Sequence, residues 1–290
     1  MDVLKIPIDS RFSGKTILEF LRFFNVAKAK IYLLEHEKKL TVNYAFRLFD
    51  QALFEDDLIT IDLEGFENLD FIPEYDPIDI LYEDNDILVV NKPSGIIIHP
   101  AEKDGTGTLV NRIAGYYEKK GLNRNVRYLH RLDTETTGCL LVAKHFLMHS
   151  YLANHWDHLE IKRHYLALVT GQFVKDQGTI SESIGKDRHN NNRYRVKFDG
   201  EKAITHYEVI DKYPTYSLLR IELLTGKTHQ IRVHMSFMGH PLLGDQLYGG
   251  KPDRINRVAL HSESIEFTNP VTGLPFKVAN KLPEDMQRLL

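Results

Sequence analysis

Apolar residues at Ile17, Leu18, Leu21 and Phe24 share one helical face, and Ile31, Leu33 and Leu34 repeat that spacing shortly afterwards. The pattern predicts two short helices, over 15–24 and 28–36. Segments 40–42 and 58–61 alternate instead, as half-buried strands do. Together these elements give a small α/β unit over 1–63. The acidic stretch 64–79 contains Pro73 and Pro77, which cannot continue a helix, so it reads as an extended linker. Beyond it, runs rich in β-branched and aromatic residues predict strands at 87–90, 140–142, 165–169, 203–210 and 216–224. Helices are predicted at 109–117, 147–159 and 228–238, the last stopped by Gly239. Strands and helices mixed without strict alternation predict an α+β domain over 80–290 on a largely antiparallel sheet.

One polar interruption of this pattern stands out. A strand predicted to end near Leu132 and another predicted to begin near Cys139 enclose His130-Arg131-Leu132-Asp133-Thr134-Glu135-Thr136-Thr137-Gly138. Asp133 opens the turn beside a guanidinium, and connecting loops on a stiff scaffold are where catalytic side chains concentrate. Ordinary turn chemistry would select similar residues, so the segment alone leaves both readings open.

Four further segments accompany it in order: 91–95 (Asn-Lys-Pro-Ser-Gly), 162–169 (Lys-Arg-His-Tyr-Leu-Ala-Leu-Val), 225–234 (Thr-Gly-Lys-Thr-His-Gln-Ile-Arg-Val-His), and 239–245 with Tyr248-Gly249. From about residue 80 onward this set closely resembles the RluA-type family of RNA pseudouridine synthases. The resemblance implies a mixed central sheet with the active-site cleft across its middle, and isomerisation of specific uridines in ribosomal or transfer RNA. It implies base flipping, with Asp133 as the catalytic carboxylate. Tyr165 would stack on the flipped uracil and assist proton removal. Arg131 would fill the space left by the extruded nucleotide or contact its phosphate, and His130 would assist or pack. Lys92 and Gly95 would shape a turn near the cleft. Lys227 stands where the family more often has arginine. Placed before a helix, it is expected to pair with Asp133, with Arg232 as the fallback partner and otherwise a structural or RNA-facing residue. The 1–63 unit is similar to the small S-four-like RNA-binding domain, but segment 40–54 lacks the usual glycine-containing turn.

Charge complicates the choice of partner. The net charge is −3 over 290 residues, and nucleic-acid binding depends on where positive charge is presented. Residues 1–72 hold nine basic and thirteen acidic side chains, and the remainder is close to neutral. Two basic regions offer phosphate contacts. One comprises Lys186, Arg188, Arg193, Arg195 and Lys197 among Asn190, Asn191, Asn192 and Tyr194; the other comprises Arg112, Lys119, Lys120, Arg124 and Arg127.

The expected reaction needs no metal, redox cofactor or group donor. A single cysteine, Cys139, rules out an intrachain disulfide and a cysteine metal cage. The histidine pairs His145/His149 and His155/His158 lack an accompanying His-Glu-x-x-His pattern. No apolar run reaches the roughly 18–20 residues that span a bilayer, and the first residues lack a secretory pattern. A cytoplasmic monomer with no obligate protein partner is expected. Two other classes remain for comparison: a catalytically silent RNA-binding factor, and a glycoside hydrolase in which Glu135 would be the second acid.

Overall fold

The computed structural model describes residues 2–102, 104–156, 161–190 and 192–290. Met1, Lys103, residues 157–160 and Asn191 lie outside the described residues, and with them His158 and the last part of the helix predicted over 147–159. Both N-terminal helices form where the apolar spacing places them. A reciprocal cap between Thr16 and Glu19 starts α1 (Ile17–Phe23), and α2 (Lys28–His36) follows. They pack on an antiparallel sheet of β1 (Val3–Pro7), β2 (Leu40–Val42) and β3 (Leu58–Asp62), with β3 in the middle. The first strand escaped prediction because it is short and ends in Pro7, which an edge strand tolerates. Phe20, Leu21, Leu34, Ile59 and Ile61 lie at the heart of this cluster, which also takes in Phe146 and Leu147.

The stretch expected to be a linker is extended but docked. Asp70 accepts the Val126 amide at 2.9 Å, and Glu74 accepts the Gly107 amide at 2.7 Å. Glu67 is buried, pairs with Arg127 and accepts the Phe146 amide at 3.1 Å. Its acidic residues thus hold the Gly107 amide and satisfy the amides of Val126 and Phe146, which would otherwise be buried without partners.

The main sheet has ten strands. In chain order the elements are β4 (Asp79–Glu83), β5 (Ile87–Lys92), α3 (Leu109–Lys119), β6 (Arg127–Tyr128), β7 (Thr137–Ala143), α4 (Phe146–His155), β8 (Lys162–Thr170) and β9 (Gln177–Ile180). A hairpin of β10 (Ile184–Lys186) and β11 (Tyr194–Val196) stands apart as a two-stranded sheet. Then come β12 (Thr205–Lys212), β13 (Tyr216–Leu223), α5 (Gln230–Phe237), β14 (Leu260–Thr268), β15 (Pro275–Ala279) and α6 (Glu284–Gln287). The spatial order is β4-β5-β7-β14-β8-β13-β12-β9, with β15 on β14 and β6 on β7. Pairing is antiparallel except at the β7–β14 seam, where His261 faces Thr137 and Ser262 faces Gly138 in parallel. The fold is therefore α+β on a mixed, largely antiparallel sheet.

That seam explains Gly138. Its φ is +108°, and a Cβ there would sit 2.2 Å from the Ser262 carbonyl oxygen. Only glycine lets the two backbones approach so closely. On its other side β14 pairs with β8, placing Ser262 opposite Tyr165. The turn containing Asp133 therefore leads directly into the centre of the sheet.

Candidate active site

Asp133 begins a tight turn whose backbone closes with Thr136 N–H donating to the Asp133 carbonyl at 3.0 Å. The strands around it end differently from expectation: β6 stops at Tyr128, leaving 129–136 as a loop before β7. Lys92 holds this loop from within. Its side chain is 0% exposed, and its ammonium donates to the carbonyls of Pro93 at 3.0 Å, Thr134 at 2.8 Å and Thr136 at 2.9 Å. Gly95 N–H adds a second bond to Thr134 at 2.9 Å. All three ammonium protons are thus engaged by backbone, so Lys92 braces the turn and is not a substrate contact. Burial pulls its pKa down to about 8, against the opposing pull of Asp133. Glu135 points elsewhere and accepts the Val258 amide at 2.9 Å. It is therefore committed to structure, which removes the second acid required by a glycoside hydrolase.

The Asp133 side chain retains 26% of its exposure and meets Arg232 Nη1 at 3.0 Å. Arg232 is in turn clamped by Asp245, whose carboxylate is 1% exposed and accepts Nε at 2.7 Å and Nη2 at 2.9 Å. The expected pairing of Lys227 with Asp133 is corrected here. Lys227 Nζ pairs with Glu201 at 2.6 Å, outside the carboxylate cluster. Its backbone amide is held by the Gln230 side chain at 3.0 Å, and the helix begins only at Gln230. That phase brings Arg232, one turn along, to the carboxylates. Burial opposes the charge on Arg232, but the hydrogen-bonded Asp245 and the charge of Asp133 outweigh it and raise the guanidinium above its ordinary range.

His229 precedes α5 in the left-handed conformation, with φ 57°. Its Nε2 lies 3.8 Å from Asp133 Oδ2, and its Nδ1 lies 2.9 Å from the Tyr248 hydroxyl. The same hydroxyl accepts the Tyr194 amide of β11 at 2.9 Å. Arg232 and Arg193 sit 5.0 and 5.5 Å from the centre of the Tyr248 ring.

Comparisons with known proteins give the family. Residues 86–237 match the family model described as RNA pseudouridylate synthase. An uncharacterized RNA pseudouridine synthase of Bacillus subtilis, YhcT, is 38% identical over 289 residues, 99% of this chain and 96% of its own. The ribosomal large subunit pseudouridine synthase D of Yersinia pestis is 36% identical over 81% of this chain and 76% of its own. Among solved structures, human RNA pseudouridylate synthase domain containing 1 superposes with a TM-score of 0.60 and 26% identity, over 71% of this chain and 83% of its own. The chain belongs to the RluA-type family of RNA pseudouridine synthases. It is an isomerase of uridine in RNA.

In the synthase, Tyr165 is 4% exposed and lies opposite Ser262 across the β8–β14 pair. Burial raises the phenol above its usual range. It therefore stays protonated at neutral pH and is no base in this state of the site. His130 does not face the cleft. It is buried, stacks on Trp156 with centroids 5.2 Å apart, and its Nε2 accepts the Leu141 amide at 3.1 Å. Burial, with Arg163 nearby, pushes its pKa down to about 3. His130 is thus a neutral packing residue, which corrects its expected substrate role. Arg131 is exposed at the edge of the turn.

The two basic regions separate. Arg188 and Arg195 are exposed on the β10–β11 hairpin, whereas Arg193 folds back over Tyr248. In the other region, Arg112 pairs with Asp76 at 3.3 Å, Arg124 with Asp2 at 2.5 Å, and Arg127 with Glu67. These ion pairs commit the three arginines to structure, while Lys119 and Lys120 of the same region remain exposed. The residues missed by sequence reasoning are His229, Asp245 and Tyr248. All three lay within recognised segments; the available signal was an acid in the segment after the one carrying Arg232.

Proposed function

We propose that the synthase isomerises particular uridines of a structured RNA, ribosomal or transfer RNA, with Asp133 as its catalytic carboxylate, acting as a cytoplasmic monomer. The observation that carries this reading is the chain Asp245–Arg232–Asp133, in which only the last carboxylate reaches solvent. Charge and hydrogen bonds anchor Arg232 from the buried side, so Asp133 is held in orientation while its free lone pairs face the cleft. The reaction must break the bond from uracil nitrogen to the sugar, turn the base, and join carbon five of uracil to the same sugar carbon. Asp133 can begin it by attacking the sugar, adding to the ring or removing a sugar proton. Tyr165 lies beside the site to pack against the extruded base, and Arg131 stands at the rim where the displaced nucleotide would leave a gap. The exposed arginines of the β10–β11 hairpin supply phosphate contacts. The S-four-like 1–63 unit would add selectivity for a larger RNA.

Mapping pseudouridines in RNA from cells with and without the gene identifies the substrate. Complementation with Asp133→Asn then tests the residue. Loss of specific pseudouridines with the gene, restored by the parent and not by the variant, is the expected result. An Asn variant that restores them at the parental level would refute the assignment of Asp133.

A further inference from the structure

Tyr248 adds a hydrogen-bonded link between β11 and the start of α5, where the Tyr194 and His229 rings already meet edge to face at 5.8 Å. From β11, the Tyr194 backbone N–H donates to its hydroxyl. The hydroxyl proton then needs an acceptor, and His229 Nδ1 at 2.9 Å is the acceptor that the described residues provide. Burial pushes the Tyr248 phenol up to about 12, so the hydroxyl keeps its proton. If Nδ1 accepts, the proton of the neutral imidazole must sit on Nε2. This nitrogen faces Asp133 Oδ2 at 3.8 Å, where an N–H is attracted and a lone pair would be repelled. Satisfying the hydroxyl and satisfying the carboxylate therefore select the same tautomer.

We propose that His229 is a positioning residue for Asp133, its imidazole locked by Tyr248 so that Nε2–H orients the carboxylate only when the β10–β11 hairpin is seated. The inference rests on the reading of Asp133 as the catalytic carboxylate. The left-handed backbone of His229 supports it, because a non-glycine residue held at φ 57° aims its ring away from the course a regular helix would give. At 3.8 Å the contact is longer than a hydrogen bond. Such contacts in unliganded sites tighten when substrate binds. RNA gripping Arg188 and Arg195 would press the hairpin, and with it the Tyr194 amide, onto Tyr248. Correct substrate would thereby complete the catalytic geometry, a form of induced fit.

The charged groups facing the ring are Asp133 from the turn, Arg232 from its own helix and Asp245 from the segment after it; the Tyr194 and Tyr248 rings meet it edge to face. Burial, aided by Arg232 and opposed by Asp133 and Asp245, lowers the His229 pKa, so the ring is neutral at pH 7. Acidification through that lowered value would put a proton on Nδ1 and reverse the bond, so that the Tyr248 hydroxyl accepts from His229 and its own proton loses this acceptor.

The test uses Tyr248→Phe, which keeps the ring beneath Arg232 and Arg193, and His229→Asn, since asparagine tolerates the left-handed backbone. Each should lower the single-turnover rate about tenfold while RNA affinity changes less than about twofold, as expected for an interaction used in the reaction and not in binding. The double variant should be no slower than the worse single by more than about twofold, because both break one chain. His229→Asn should also flatten the acid limb of the rate profile. Nitrogen NMR of the His229 ring in the free protein supplies a readout independent of turnover: the proton should be on Nε2, and Tyr248→Phe should weaken that preference. A proton on Nδ1 in the parent, unchanged rates, losses confined to affinity, or losses that multiply in the double variant each overturn the proposal. If the parent makes no pseudouridine, or Asp133→Asn is as active as the parent, the catalytic reading fails, whereas the ring's tautomer still decides the contact.

Discussion

Removing Arg232 should separate two properties that its position joins. Arg232→Met leaves Asp245, 1% exposed, with its carboxylate buried and its two guanidinium bonds gone. Breaking a buried pair from one side costs about 3–5 kcal/mol, mostly through the charge left behind. Adding Asp245→Asn removes that charge and leaves a neutral buried amide, whose unmet hydrogen bonds cost about 1–3 kcal/mol. The double variant should therefore recover on the order of 2 kcal/mol. Catalysis should not recover, because Asp133 has lost its bond to Nη1 in both proteins. A charge-assisted hydrogen bond of about 1.5–3 kcal/mol corresponds to a rate loss of roughly 10- to 150-fold. Urea unfolding can be followed through the single tryptophan, Trp156, which stacks on His130, and pseudouridine formation through single-turnover assays. A single variant less than about 1 kcal/mol below the parent, or a double variant regaining activity along with stability, would refute the view that Asp245 anchors and Asp133 reacts.

Three other perturbations follow from the same coordinates. Because burial holds folded His130 at about 3 against an ordinary 6.5, the unfolded chain binds the extra proton between these values. Stability is full above about pH 6.5 and falls as the pH drops toward 3, by on the order of 4 kcal/mol for this group; His130→Gln should reduce that slope, and an equal slope in denaturation at pH 4–7 would count against it. Gly138→Ala forces a Cβ to within 2.2 Å of the Ser262 oxygen, so it should cost at least about 3 kcal/mol or prevent folding, and near-parental stability would contradict the close β7–β14 approach. Replacing Arg188 and Arg195 by glutamine should lower the log-log salt slope of RNA binding by about one unit per lost phosphate contact, and an unchanged slope would move the contacts elsewhere.

Local periodicity was sufficient to find α1 and α2, because a helical face is written within a few neighbouring residues. It also gave the α+β class, since most strands carry dense β-branched runs. What depends on distant partners was not legible. The docking of 64–78 rests on amides of residues such as Gly107, Val126 and Phe146, which no local pattern connects to it. The exchange of Lys227 for Arg232 has a similar origin. Two residues of helix phase decide which cation reaches Asp133, and His229 in the left-handed region delays the start of α5 from the predicted Thr228 to Gln230. Basic clusters mislead for the same reason: Arg124 and Arg127 look free in sequence, but Asp2 and Glu67 neutralise them.

The parallel seam between β7 and β14 joins Thr137 to His261 and Gly138 to Ser262. It also sets an order of events during synthesis. Asp133 and Tyr165 emerge from the ribosome long before the strand that lies between β7 and β8. Until that strand arrives, the turn has no wall on one side and Tyr165 has no Ser262 opposite it. A growing chain therefore carries the Asp133 carboxylate before the β7–β14–β8 architecture around it is complete.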